Sequence, residues 1–101
     1  MGIANEYVAI ADTYNELHDS ANAIRYNLQA LEMEKKMDSK FGEAVIYFQL
    51  GKLYHNNYGL ALDYHLKAEK LFTQLNDNSN FASFNRGEIG RIFFAIAKQT
   101  G

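Results

Sequence analysis

The feature that most constrains this chain is an internal recurrence. Tyr7, Ile10, Ala11 and Tyr14 return as Tyr47, Leu50, Gly51 and Tyr54, each 40 positions later. Arg86, Ile89, Gly90 and Phe93 then follow that second set at an offset of 39. Between them runs another pattern: Ala23, Tyr26 and Ala30 are answered by Ala61, Tyr64 and Ala68 at an offset of 38. A unit repeated at such a period cannot cover its apolar face alone and buries it against the next copy, so the recurrence predicts a stacked array.

Each unit reads as helix. The chain has no proline, and its apolar residues fall at three- and four-residue spacings. Tyr7, Ile10, Ala11, Tyr14 and Leu17 form one face of a first helix. His18-Asp19-Ser20 then supplies good N-cap residues for a second helix that carries Ala23, Ile24, Leu28, Ala30 and Leu31 to about Lys36. Met37 to Gly42 reads as a loop. Ala11, Gly51 and Gly90 on the first helices, and Ala23, Ala30, Ala61 and Ala68 on the second, mark places where helices approach closely. These readings predict an all-α fold over 1–101: a right-handed solenoid of about five helices. Repeat one spans about 4–41, repeat two about 42–80, and the first helix of a third repeat about 81–98.

Composition narrows the function. With 101 residues, a formal charge of −2 and no cysteine, the chain has no disulfide and no thiolate metal site, and its charge is too balanced for a nucleic-acid-binding surface. No apolar run is long enough for a membrane span and no leader pattern appears, so a cytoplasmic location is expected, with a piece of a membrane-anchored sensor as the alternative. No Gly-x-Ser-x-Gly, phosphate loop or His-Glu-x-x-His is present. His18, His55 and His65 include no pair four residues apart and read as surface or helix-end residues. No catalytic residue, metal or cofactor is expected.

The repeated residues resemble the tetratricopeptide repeat. Its signature of a bulky residue, an aliphatic-small pair, an aromatic, and later alanine, aromatic and alanine is matched by Tyr7, Ile10-Ala11, Tyr14, Ala23, Tyr26 or Asn27, and Ala30. Tyr47, Leu50-Gly51, Tyr54, Ala61, Tyr64 or His65, and Ala68 match it again; Arg86, Ile89-Gly90 and Phe93 begin it a third time. The spacing exceeds the usual period of about 34 and no proline closes a repeat. That long form is similar to arrays of bacterial signalling proteins, including sensor kinases and peptide-responsive regulators.

The resemblance implies a non-catalytic scaffold, a piece of a larger signalling or regulatory protein, that binds a protein or peptide segment on the concave face lined by its first helices. Asn5, Val8, Asp12 and Asn15 would lie there in repeat one, Val45, Phe48, Lys52 and His55 in repeat two, and Phe84, Arg91 and Phe94 in repeat three. Asp12, Lys52 and Arg91 are equivalent positions, so the groove would run from acidic to basic beside phenylalanines, suiting a segment with an acidic and an apolar feature. Domains of this family that clamp chaperone tails carry a Lys and an Asn where this chain has Val8 and Asp12, which disfavours that partner.

Two features point instead to self-association. Tyr14 to Ala23 spans nine positions but Tyr54 to Ala61 only seven. A turn at 55–59 that failed to close would merge two helices and invite domain swapping into a homo-oligomer. In the last helix Ile89, Ile92, Phe93 and Ile96 form an apolar stripe that either pairs with another molecule or is buried on repeat two.

Overall fold

The computed structural model describes residues 20–100, and every regular element among them is helical. They form α1 (Ser20–Lys36), α2 (Lys40–Leu53), α3 (Tyr58–Gln74) and α4 (Asn80–Thr100). The helix expected around Tyr7 to Leu17 lies outside the described residues. Each helix packs on its neighbour in sequence, and α2 also touches α4.

The buried positions explain this order. On α1 they are Ala23, Asn27, Ala30, Leu31 and Glu34, one stripe at helical spacing. On α3 the stripe is Ala61, His65, Ala68 and Phe72. Helix α2 is different: Glu43, Ala44, Ile46, Phe48, Leu50 and Gly51 are all buried, because it has partners on opposite sides. Ile46 and Leu50 join Ala30 and Leu31 of α1 in one cluster. Ala44 and Phe48 join Ala68 and Phe72 of α3 and Ala82 of α4 in another.

The helix ends repeat as faithfully as the faces. After α1, Met37 N–H donates to Met33 O, Asp38 N–H to Lys35 O and Ser39 N–H to Glu34 O. After α3, Leu75 donates to Leu71, Asn76 to Thr73 and Asp77 to Phe72, the same three bonds 38 residues on. Both turns pass through a residue of positive φ, Asp38 at 53° and Asn76 at 56°. This is the Schellman termination, in which a left-handed residue lets the chain satisfy the last carbonyls of the helix. Asp and Asn tolerate that backbone better than other residues with a Cβ. Ser39 Oγ then accepts from Gly42 N–H at 3.3 Å and Ser79 Oγ from Ala82 N–H at 3.4 Å, so each turn hands the chain to the next helix through a serine cap.

The short second turn closes within the single chain. Tyr54 N–H ends α2 on Leu50 O, Asn57 N–H donates to Tyr54 O at 2.8 Å, and Asn57 Oδ1 caps α3 by accepting from Leu60 N–H at 3.1 Å. The merged helix considered for 55–59 is therefore not adopted. Gly42 and Gly59, expected in turns, belong to the first turns of α2 and α3.

Glycine marks close approach at Gly51 and not at its counterpart Gly90. A Cβ at Gly51 would lie 2.6 Å from His65 Nε2, whereas one at Gly90 would meet nothing within 4 Å. Gly51→Ala should thus destabilise the chain by about 1–3 kcal/mol through overpacking, and Gly90→Ala should stabilise it by up to about 1 kcal/mol through helix propensity. Urea titrations of the two variants check this, and shifts of the same sign would contradict it.

Candidate functional site

Where α2, α3 and α4 meet, the core is polar. His65 and Asn85 are both fully buried. Asn85 Nδ2 donates to the His65 carbonyl at 2.9 Å, and its Oδ1 lies 2.8 Å from His65 Nδ1. The carbonyl can only accept, so it orients the amide. The amide oxygen therefore faces the ring, and Nδ1 must carry the proton. Nε2 is left with a lone pair, buried against Gly51 and without a hydrogen-bond partner among the described residues. Phe48 packs beside the ring, centroids 5.8 Å apart. Burial holds His65 below the usual imidazole range, the Asn85 hydrogen bond and Glu88 working the other way and Arg91 and Lys52 adding to the depression.

Of the adjacent pairs Tyr26/Asn27 and Tyr64/His65, the second member is the more buried. Asn27 and His65, 38 residues apart, are the buried ones, each between buried alanines four residues before and three after. Asn27 Nδ2 satisfies itself on Ala23 O at 2.9 Å. Tyr64 instead lies on the flank, stacked at 5.6 Å on Tyr54 and 6.1 Å from Tyr47. Lys67 Nζ sits over both Tyr47 and Tyr64 while pairing with Asp63 at 3.2 Å. Burial raises the Tyr64 hydroxyl above its ordinary range.

The residues expected on the concave face divide. Asp12 and Asn15 lie outside the described residues. Lys52, His55, Arg91 and Phe94 are exposed. Lys52 and Arg91 come from different helices yet both bear on the charge of His65. Arg91 pairs with Glu88 at 2.8 Å, Lys52 Nζ stands 5.3 Å over the Phe48 ring, and Lys98 Nζ stands 5.5 Å over Phe94. Phe48 departs from the expectation. At 5% exposure it is core, because the side of α2 turned away from α1 is covered by α3 and by Phe81 of α4, 6.1 Å away.

The expected apolar stripe of the last helix is also redistributed. Ile92 is fully buried, Ile89 and Ile96 are half-buried, and only Phe93 stays largely outside. The exposed apolar surface of α4 is aromatic: Phe84, Phe93 and Phe94 are 62%, 52% and 65% exposed. Phe84 and Phe93, nine residues apart, fall on opposite sides of the helix, so Phe84 shares a face with Arg91 and Phe94 while Phe93 points elsewhere. Arg86, beside it, is tied to Glu69 of α3 at 2.9 Å.

A shallow groove of about 330 Å³ between α2 and α3 is lined by Lys40, Glu43, Tyr47, Lys67, Lys70, Leu71 and Gln74. Lys40 is held by Glu43 at 3.3 Å and Asp38 at 3.5 Å, so much of its charge is spent within the chain. No group of three His, Cys, Asp or Glu suited to a metal ion occurs among the described residues, and none of their helices is long and apolar enough to cross a membrane.

Two residues of the polar core escape sequence reading. His65 was expected at the surface, and Asn85 carried no signal except its place between Ala82, Ile89 and Ile92 at helical spacing. Asn85→Ala would leave the buried Nδ1 proton of His65 unpaired and remove the second hydrogen bond to its carbonyl, which keeps its bond within α3, at a cost of about 1–3 kcal/mol. Chemical denaturation reads that loss; an unchanged midpoint would show the clasp to be idle. No protein-family model matches the chain, and no curated protein is significantly similar to it.

Proposed function

We propose that this chain is a right-handed helical-hairpin solenoid of the tetratricopeptide type and acts as a non-catalytic binding module for a protein or peptide segment. The observation that carries the reading is that exposed Phe84 and Phe94 share one face of α4 with the exposed cations Arg91 and Lys98. Support for the repeat comes from the duplicated helix terminations and from the matched burial of Ala23, Asn27, Ala30 and Ala61, His65, Ala68. Lys52, His55, Arg91 and Phe94 form the binding face in this reading, with Asp12 and Asn15 extending it, and Phe48 serving as the floor beneath Lys52. The occupant carries an acidic group for Lys52 and Arg91 and an apolar group for Phe94. Rigid helices present these groups without an ordering cost on binding.

Panning a random peptide library on the chain tests this. Enriched peptides should combine acidic and apolar residues and lose at least about tenfold in affinity, or about 1.4 kcal/mol, to the Lys52→Glu/Arg91→Glu variant at unchanged helicity. No enrichment, or full affinity in the variant, would sink the assignment.

A second reading is self-association through α4. It is favoured by the open space around Gly87 and Gly90 next to Phe93, which would let another helix approach closely. Light scattering coupled to size exclusion should then show a dimer that Phe93→Ser returns to monomer. A monomer at all concentrations would remove this reading.

A further inference from the structure

We infer that the His65–Asn85 clasp is a proton-operated latch that seats α4 on α2 and α3 and lets that helix go when the ring takes up a second proton. The inference stands independently of what the outer face binds. It begins with the hydrogen-bond inventory: Asn85 consumes the Nδ1 proton and the His65 carbonyl, so a further proton can enter only at Nε2. That atom is buried against the Gly51 backbone with no acceptor among the described residues.

The charged groups around the ring do not help it. From α2 comes Lys52, and from α4 come Arg91 and Glu88. The one carboxylate is already engaged by Arg91 at 2.8 Å, and both cations oppose a positive ring. A protonated His65 must therefore gain water, and the fully buried ring is closed by α2 on its Nε2 side and by α4 on its Nδ1 side.

Helix α4 is the element that yields. Helix α2 is gripped by α1 on one side and α3 on the other, whereas α4 rests chiefly on α3 and buries only Ala82, Asn85 and Ile92 completely. A further polar tie, Arg86 to Glu69, is about half exposed at the arginine and contributes little. An element held on one side by few buried groups opens at lower free energy than the body it rests on.

The direction follows from linkage. The seated form binds the second proton less readily than the open form, whose imidazole titrates near 6.5. Between 6.5 and the lower value of the seated form, the open form holds more protons, so α4 is seated above that window and loosens as the pH falls through it.

Amide hydrogen exchange on the full chain tests the latch. From pH 7.5 to 5.5, protection factors in α4 should fall by up to about tenfold per pH unit below 6.5, while those in α2 hold. In His65→Asn, which installs the residue found at the matching place in α1, the α4 response should flatten. In Asn85→Asp, whose carboxylate raises the seated imidazole toward its open value and so narrows the window, the response should shrink. The nitrogen shifts of the wild-type imidazole give the same answer without substitution: an Nδ1–H tautomer at pH 7.5 whose titration coincides with the loss of α4 protection. Simultaneous loss in α2 and α4, a flat α4 profile, an Nε2–H tautomer, or an undiminished response in His65→Asn would each overturn the inference.

Discussion

The missing side chain of Gly51 is the constraint on which the rest of this structure depends. It lets the imidazole of His65 lie against the α2 backbone, so that α2 and α3 approach closely and Phe48 and Phe72 can close the cluster beside them. The ring then reaches Asn85, and through it α4 is placed. One absent methyl group on α2 thus sets the position of a helix two elements further along. Interiors packed to crystal density transmit such a requirement because they hold no slack to absorb it.

The polar core is an unusual way to secure that placement. An apolar residue at position 65 would pack against α4 in several registers of similar energy. A buried ring proton that must meet a carboxamide, which in turn donates to the carbonyl of the same residue, favours one register. The cost is the lone pair at Nε2, which the fold leaves buried and unmatched, and an unsatisfied buried acceptor is a standing liability of about 1–3 kcal/mol. Specificity of seating and sensitivity to protons therefore share one origin.

Much of this was legible in the sequence and some was not. The end of α1 near Lys36 and the start of α4 near 81 were legible in the sequence, since turn residues act locally. Ala23, Ala30, Ala61 and Ala68 were legible as close-approach positions because their spacing is the helix period. Phe48, expected on the groove, is buried instead: the side of α2 turned away from α1 is covered by α3 and by Phe81 of α4, and the latter contact is one that no local pattern reports. The choice between Tyr64 and His65 stayed open because adjacent residues differ by only about 100° around a helix, and either fits the stripe. Tyr64 is drawn to the flank by Tyr54 and Tyr47, which leaves His65 for the centre. Asn85 lay beyond reach, since an amide is placed by its partner and not by its neighbours.

The paired terminations at Asp38 and Asn76 carry a consequence for how such a chain changes over time. Their geometry resides in main-chain hydrogen bonds and one positive φ at each site, so the joint is indifferent to most of the side chains around it. The stretch between them starts and finishes on the same joint, which makes it a cassette. In the array proposed above, such a cassette could be copied or deleted without redesigning either seam.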